Sequence, residues 1–158
     1  MNKWWVFLTV IVLGSSCNVP LDRIWSRYRP AESEPQKTEI VGVWKVDERT
    51  LSDIRNRGEY GDEVTPRFLF HDDGTVDAES IPDWAMNMSA ESHGGSSSYH
   101  GKWKVEKRGC CSVIWLDYGF LITSVGLLEN RSGGSPRYVI EDILGDPDSG
   151  NSMIFVKE

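Results

Sequence analysis

Short runs of alternating apolar and polar residues recur from about residue 40 to the end of the chain. In SYHGKWKVEK, Trp103 and Val105 fall on one face of an extended chain and the charged residues fall on the other. This period of two is typical of strands with one buried face. We therefore predict eight strands, in residues 39–47, 65–71, 76–78, 98–107, 111–118, 120–128, 135–144 and 151–157.

Turn signals separate these runs and favour antiparallel neighbours. The Asp73-Gly74 pair between two apolar runs predicts a hairpin. The pattern predicts one helix, in residues 50–57, with Thr50 as its cap and Gly58 as its stop. Eight strands with mostly short connections favour an all-β fold, an eight-stranded antiparallel up-and-down barrel with one short helix in its first loop.

A glycine-x-tryptophan string occurs twice, as GVWKVDE at 42–48 and GKWKVEK at 101–107. The first resembles the G-x-W signature that opens the lipocalin barrel. The order of G-x-W strand, phenylalanine-rich strand, Asp-Gly hairpin and second G-x-W strand is similar to small bacterial lipocalin-like lipoprotein domains. The resemblance covers about residues 40–158. It implies a barrel that holds a small apolar ligand, although the threonine-aspartate-tyrosine motif of classical lipocalins is not found. We interpret each glycine as a site of close backbone approach or of a bend at a barrel corner, and each tryptophan as a plug of the barrel interior.

The N-terminus has the layout of a secretory signal. Lys3 precedes an apolar run over residues 4–14, and small residues lead to Cys17. The run is too short for a bilayer span, which needs about 20 apolar residues; an anchor helix or a buried core segment is the alternative. The string LGSSC resembles a bacterial lipobox, although Leu13 lies four residues before Cys17 rather than three. We predict a signal peptide (1–16), a lipidated Cys17 with a flexible tether (17–39) and a barrel domain (40–158). This layout implies lipid anchoring in a bacterial cell envelope, at the outer membrane facing the periplasm.

The meander places the two long loops, 48–64 and 80–98, at one end of the barrel, where we predict a mouth. Apolar and thioether side chains there suit an adaptable apolar ligand, of the lipid or fatty acid class. The alternative is that they close the barrel as ordinary core. Met86, Met88 and His93 also permit a weaker hypothesis, a periplasmic copper site. The predicted ligand-binding residues are Tyr60, Ile81, Trp84, Met86 and Met88, with Trp44 and Trp103 in the barrel.

Cys110 and Cys111 are adjacent, so a disulfide between them would be strained and reducible. Three states remain open for this candidate redox pair: two free thiols, a vicinal disulfide, or a bond to another chain.

Composition narrows the function classes. A net charge of -7 argues against a nucleic-acid surface. No nucleophile–base motif is recognisable, so we expect neither an enzyme nor a cofactor. Two classes remain: a lipid-anchored binding module with a small hydrophobic ligand, and an envelope protein with a filled barrel that contacts a protein partner.

Overall fold

Nine strands and two short helices make up the part of the chain that the computed structural model describes, residues 26–56, 64–83, 95–143 and 152–158. No helix in these ranges is long and apolar enough to cross a bilayer. The helices are α1 (Lys37–Ile40) and α2 (Glu48–Asn56). The strands are β1 (Tyr28–Pro30), β2 (Gly42–Val46), β3 (Arg67–Phe70), β4 (Thr75–Pro82), β5 (Ser96–Arg108), β6 (Cys111–Asp117), β7 (Ile122–Asn130), β8 (Tyr138–Ile143) and β9 (Ser152–Lys157).

Strands β2 to β9 form a closed antiparallel barrel. Each pairs with the next along the chain, and β9 pairs back with β2, where Lys45 lies opposite Val156. The predicted eight-stranded up-and-down barrel with a helix in its first loop is therefore confirmed. Closure leaves these strands without an open edge, so their backbone groups are paired on both sides.

The inward faces of the strands carry one apolar core. In β6, the buried residues alternate with partly exposed ones, as the sequence pattern predicts. Burial of each large apolar side chain stabilises the fold by about 1.5–3 kcal/mol. The largest fully buried side chains are Trp44, Phe68, Phe70, Phe155, Ile40, Ile81, Ile114, Leu116, Leu127, Ile140, Met153 and Val76.

Helix α2 starts earlier than the sequence pattern predicts, at Glu48 rather than Thr50. Asp47 caps it instead of Thr50, because an Asp47 carboxylate oxygen accepts a hydrogen bond from the Thr50 backbone N–H at 2.8 Å. Aspartate and threonine are both good N-cap residues, so the residue types alone did not decide between them.

The segment expected to be a flexible tether is partly folded onto the barrel. Strand β1 pairs with the end of β7, with Tyr28 opposite Asn130. Ala31, the residue after β1, donates its N–H to the Leu127 carbonyl, and its own carbonyl accepts the Ser112 N–H. Ala31 therefore bridges β7 and β6 where these two strands separate. The folded unit therefore begins before Ile40, where the sequence pattern placed its start.

The barrel has two different ends. Strands β2, β4, β6 and β8 all finish at the same end of the barrel, which we call the mouth end. The opposite end, where these four strands begin, is the closed end. Helix α1 lies at the closed end, where the Trp44 indole N–H donates to the Ile40 carbonyl at 2.7 Å. The Lys157 ammonium group donates to the carbonyls of Thr38 and Glu39 at 3.1 and 3.0 Å. These bonds hold the helix against the barrel.

Candidate functional site

Most of the predicted ligand residues lie where the structure gives no description. Tyr60, Trp84, Met86 and Met88 fall outside the described residues, and so does the predicted lipidation site Cys17. Ile81 is described and lies fully buried on β4, near the mouth end. His93, the third candidate copper ligand, also falls outside the described ranges.

Trp44 and Trp103 are both core residues, and Trp44 also borders a pocket beside the closed end. They are 1% and 8% exposed. The Trp103 indole N–H donates to the His71 carbonyl at 3.0 Å, just as Trp44 donates to Ile40. Both indoles therefore use their polar atom to fasten the barrel wall to the backbone at the closed end. Their burial agrees with their interpretation as plugs of the barrel interior.

Aromatic side chains pack against one another in the barrel interior. The Phe68 ring is tilted against Phe155 at 4.7 Å and against Phe70 at 5.7 Å, between ring centroids. Phe70 meets Trp103 edge-on at 5.3 Å. Aromatic contacts of this kind add about 0.5–1.5 kcal/mol each beyond burial. This part of the interior is packed core.

The inward positions nearer the mouth are more accessible. Tyr99 on β5, Thr123 on β7 and Asp142 on β8 keep part of their surface open to solvent. Asp142 shares the inward face of β8 with Tyr138 and Ile140, which belong to the core. A carboxyl therefore faces the interior at the mouth end.

Tyr118, which follows β6, brings a phenol to the same region. Its side chain belongs to the core and is 7% exposed, and its hydroxyl has no hydrogen-bond partner among the described residues. Burial, and then the charges of Asp142 and Tyr99, raise the pKa of Tyr118. The phenol is therefore neutral and keeps its proton to donate.

The Asp142 carboxyl is perturbed in the same direction. Burial, and next the neighbouring Glu141 carboxylate, raise the pKa of Asp142 to about 7. Burial also raises the pKa of Glu141, against a hydrogen bond from Ser152 that lowers it. Near neutral pH, a substantial fraction of Asp142 is thus protonated and able to donate a hydrogen bond.

A cluster of aromatic rings borders this region. Tyr99 lies 5.6 Å from Tyr118 and 5.6 Å from Phe120, between ring centroids. Phe120 is 73% exposed and Ile122, at the start of β7, is 61% exposed. Burying such large apolar side chains would be energetically favourable, so their exposure here indicates a surface that contacts another molecule.

A backbone irregularity in β4 positions Ile81 at the mouth end. The register of β4 with β5 shifts between Ala78 and Ile81, and Ser80 has a φ of 55°. The extra residue lets Ala78 and Ile81 both bury their side chains, although they are three residues apart.

Glycine at 101 admits Tyr118 to the interior. A Cβ built there would lie 2.7 Å from the Tyr118 ring carbon Cδ1 and still closer to the Asp117 carbonyl oxygen. Only glycine leaves room for the ring at this point, which confirms the interpretation of the second glycine-x-tryptophan string as a site of close approach.

The cysteine pair lies at the closed end. Cys110 is exposed in the turn after β5 and Cys111 begins β6 half-buried; both thiols are free in the structure. Contact with the Cys110 thiol, and next burial, raise the pKa of Cys111. A raised pKa makes this thiol a weaker nucleophile at neutral pH.

Two polar clusters lie on the outer wall. The Asp77 carboxylate is hydrogen-bonded to His71 Nε2 and His100 Nδ1, each at 2.7 Å, which lowers the pKa of Asp77, with His100 contributing most. The Arg108 guanidinium lies 4.2 Å from the centre of the Trp115 ring. Within the described ranges, no group of three or more His, Cys, Asp or Glu side chains could hold a metal ion.

A pocket of about 420 Å³ opens beside the closed end, between α1 and the turn before β8. Its charged groups are already paired: Arg137 donates to Glu39 at 2.6 Å, and Lys157 donates to the α1 carbonyls. Tyr138 also lines this pocket, and its buried hydroxyl has no hydrogen-bond partner among the described residues.

Comparison with known proteins gives no relative. No family model, no curated protein and no solved structure matches the chain. The fold and the arrangement of its own residues are therefore the basis for a functional proposal.

Proposed function

We propose that this protein is an exported, lipid-anchored lipoprotein whose barrel binds one small apolar molecule of the lipid class. The observation that carries the binding proposal is the partial exposure of three inward side chains near the mouth end, Tyr99, Thr123 and Asp142, beside an interior that is otherwise packed. Eight strands leave space for packed side chains or for one small ligand. We call these three positions the cup, and their exposure is consistent with the second use.

Binding rather than catalysis also suits the chemistry of the cup. The inward side chains near it are mainly apolar, with Ile81, Leu116, Val125 and Met153 all buried. A few polar groups in an apolar surface are typical of sites that orient a ligand.

Native mass spectrometry tests the binding proposal. A Cys17→Ser variant beginning at residue 17 is purified from periplasm without reductant. We expect a co-purifying mass of a few hundred daltons, the size suited to one barrel-held ligand. An apo mass in repeated preparations, unchanged after lipid is offered, would contradict ligand binding.

Lipid anchoring is tested separately. Cells that express the full chain are grown with a labelled fatty acid, and the protein is isolated from membranes. We expect label in the wild type and none in Cys17→Ser, because the thiol is the proposed acceptor. Equal membrane recovery and no label in both proteins would contradict the anchor.

A second candidate function rests on the exposed Phe120 and Ile122. In an envelope protein with a filled barrel, this apolar pair would contact a protein partner. Replacement of both by serine separates the two functions. If the variant keeps its co-purifying ligand, the result supports ligand binding in the cup. If the wild type carries no ligand and cross-links to a partner protein that the variant no longer captures, the result supports the interaction function.

A further inference from the structure

The mouth end of the barrel contains two polar groups that its packing does not explain. Tyr118 and Asp142 both belong to the inward faces of the wall, next to a core that is otherwise apolar. A buried hydroxyl without a partner costs about 1–3 kcal/mol. Tyrosine hydroxyls usually find a partner when they are buried, so the unpaired Tyr118 hydroxyl marks a place where a ligand atom can supply the missing hydrogen bond.

The charge of this region limits what the ligand can carry. Two acidic side chains, Asp142 and Glu141, are adjacent on β8, and Asp142 faces inward. None of the described inward strand positions at the mouth end carries a lysine or arginine. At pH 7.5 a pKa of about 7 leaves the larger fraction of Asp142 ionised. A ligand carboxylate placed beside this ionised form would meet like charge in a poorly solvated site, where repulsion is stronger than in water.

The protonation states favour neutral hydrogen bonds. The raised pKa of Tyr118 keeps its O–H as a donor, and the pKa of Asp142, at about 7, leaves part of this group protonated near neutrality. Such a pair can donate to a carbonyl or hydroxyl oxygen, and the carboxyl can also accept from a hydroxyl.

We infer, on the basis of the proposed ligand-binding function, that Tyr118 and Asp142 are specificity-determining residues. They select an uncharged apolar molecule that bears a hydroxyl or carbonyl group over a fatty-acid anion. The body of the molecule lies against the partly exposed inward side chains of Tyr99 and Thr123, and the Tyr118 hydroxyl donates to its oxygen. The fatty-acid part of the ligand class expected from the sequence is therefore disfavoured.

The test compares two ligands that differ only in the polar group, oleyl alcohol and oleate. Each displaces the uncharged fluorescent probe N-phenyl-1-naphthylamine from the Cys17→Ser protein at pH 7.5. We expect the alcohol to displace half of the probe at a concentration at least tenfold lower than oleate. Tyr118→Phe should raise that concentration about fivefold for the alcohol, in line with the loss of one neutral hydrogen bond.

Two variants make the test specific. Asp142→Asn removes the charge and should narrow the difference between alcohol and oleate. Tyr138→Phe is the matched control, because the Tyr138 hydroxyl is equally buried and unpartnered but lies at the closed end. It should leave both ligands unchanged. Circular dichroism and urea unfolding check that each variant is folded.

The outcomes separate this inference from the proposed function. A wild-type protein that takes up no probe contradicts binding itself. Three results would leave binding intact but overturn the assignment of Tyr118 and Asp142. The wild type takes up the probe and the alcohol and oleate displace it equally, or neither displaces it, or Tyr118→Phe and Tyr138→Phe have equal effects.

Discussion

At the scale of single residues, the barrel wall depends on a few positions where only one side chain fits. Gly101 is the clearest, because the Tyr118 ring and the Asp117 carbonyl occupy the space that any Cβ would need. The second glycine-x-tryptophan string is therefore read correctly from the sequence as a close approach. The identity of the two groups that approach could not be read, because Asp117 and Tyr118 lie sixteen and seventeen residues further along the chain.

Gly101→Ala should destabilise the protein by about 1–3 kcal/mol, the usual cost of forcing extra atoms into a packed site. Gly126→Ala is the control, since its added Cβ would meet the Glu141 carbonyl oxygen at 3.5 Å, an ordinary contact. Urea unfolding followed by tryptophan fluorescence measures both. Equal stability of the two variants would contradict the clash.

Asp142 should make stability fall as pH rises. Its pKa is about 7 in the folded protein and 3.8 as an ordinary carboxyl. Between these values the unfolded chain has released the proton that the folded chain still holds, so the free energy of unfolding decreases, by about 2–4 kcal/mol in total. Urea unfolding at pH 4.5 and 7.5 measures this decrease.

Asp142→Asn should remove most of the decrease, because an amide does not titrate. Glu141→Gln is the comparison: the pKa of Glu141 is also raised, so that variant should lose only part of the slope. A full slope in Asp142→Asn would show that another group is responsible.

The sequence hides the role of Asp142 for a simple reason. Glu141 and Asp142 are adjacent on a strand, so one must face inward whichever register the strand takes. The pattern of residue types does not tell which one. Alternation in the predicted strand 111–118 does place Tyr118 on the face of Ile114 and Leu116, but it does not tell that the Tyr118 hydroxyl lacks a partner there.

At the scale of elements, the eight barrel strands were predictable and the N-terminal strand was not. Most barrel strands carry an apolar pattern of their own, whether alternating as in β6 or continuous as in β9. Strand β1 has three residues in a segment rich in proline and charge, and its order comes from distant partners on β7. Local pattern cannot report a pairing between residues about 100 positions apart.

The apolar cluster beneath β1 indicates how much this strand contributes to the stability of the fold. Tyr28 packs with Leu128, Val139 and Ile154 on the outside of the barrel. Tyr28→Ala should lower the free energy of unfolding by about 2–4 kcal/mol, because it opens this cluster to water.

Glu32→Ala serves as the control on the same segment, since its ion pair with Arg29 is long, at 3.7 Å, and exposed. It should change stability by less than about 0.5 kcal/mol. Thermal and urea unfolding compare the two variants. A Tyr28→Ala protein as stable as Glu32→Ala would mean that β1 adds little to the fold.

At the scale of the whole molecule, the arrangement of the connections follows from the order of the strands alone. An antiparallel meander puts alternate connections at the same end, so the grouping of the first and third loops needed no knowledge of contacts. How far the interior is filled could not be predicted without knowledge of the contacts, because eight-stranded barrels of similar composition can be filled or open.

The direction of β1 also sets how an anchored molecule would stand on a membrane. Strand β1 runs antiparallel to β7, with Tyr28 opposite the closed-end residue Asn130. The chain therefore enters the barrel from the closed end. The eleven residue-to-residue steps from Cys17 to Tyr28 span at most about 40 Å when fully extended.

Spin labels test this orientation on vesicles that carry the lipidated protein. One label is attached to Cys110, at the closed end, in a Cys111→Ser protein. The other is attached to Ile122→Cys, at the mouth end, with Cys110 and Cys111 both replaced by serine. A relaxing agent confined to the lipid surface should broaden the Cys110 label more strongly. Equal broadening would contradict a fixed orientation.

A protein held in this way would turn its opening toward the aqueous compartment rather than toward its own bilayer. It could not draw a molecule directly out of the lipid beneath it. Its cargo would arrive through water or from a facing surface, so such a protein would serve as a receiver between two layers of an envelope rather than as an extractor from one.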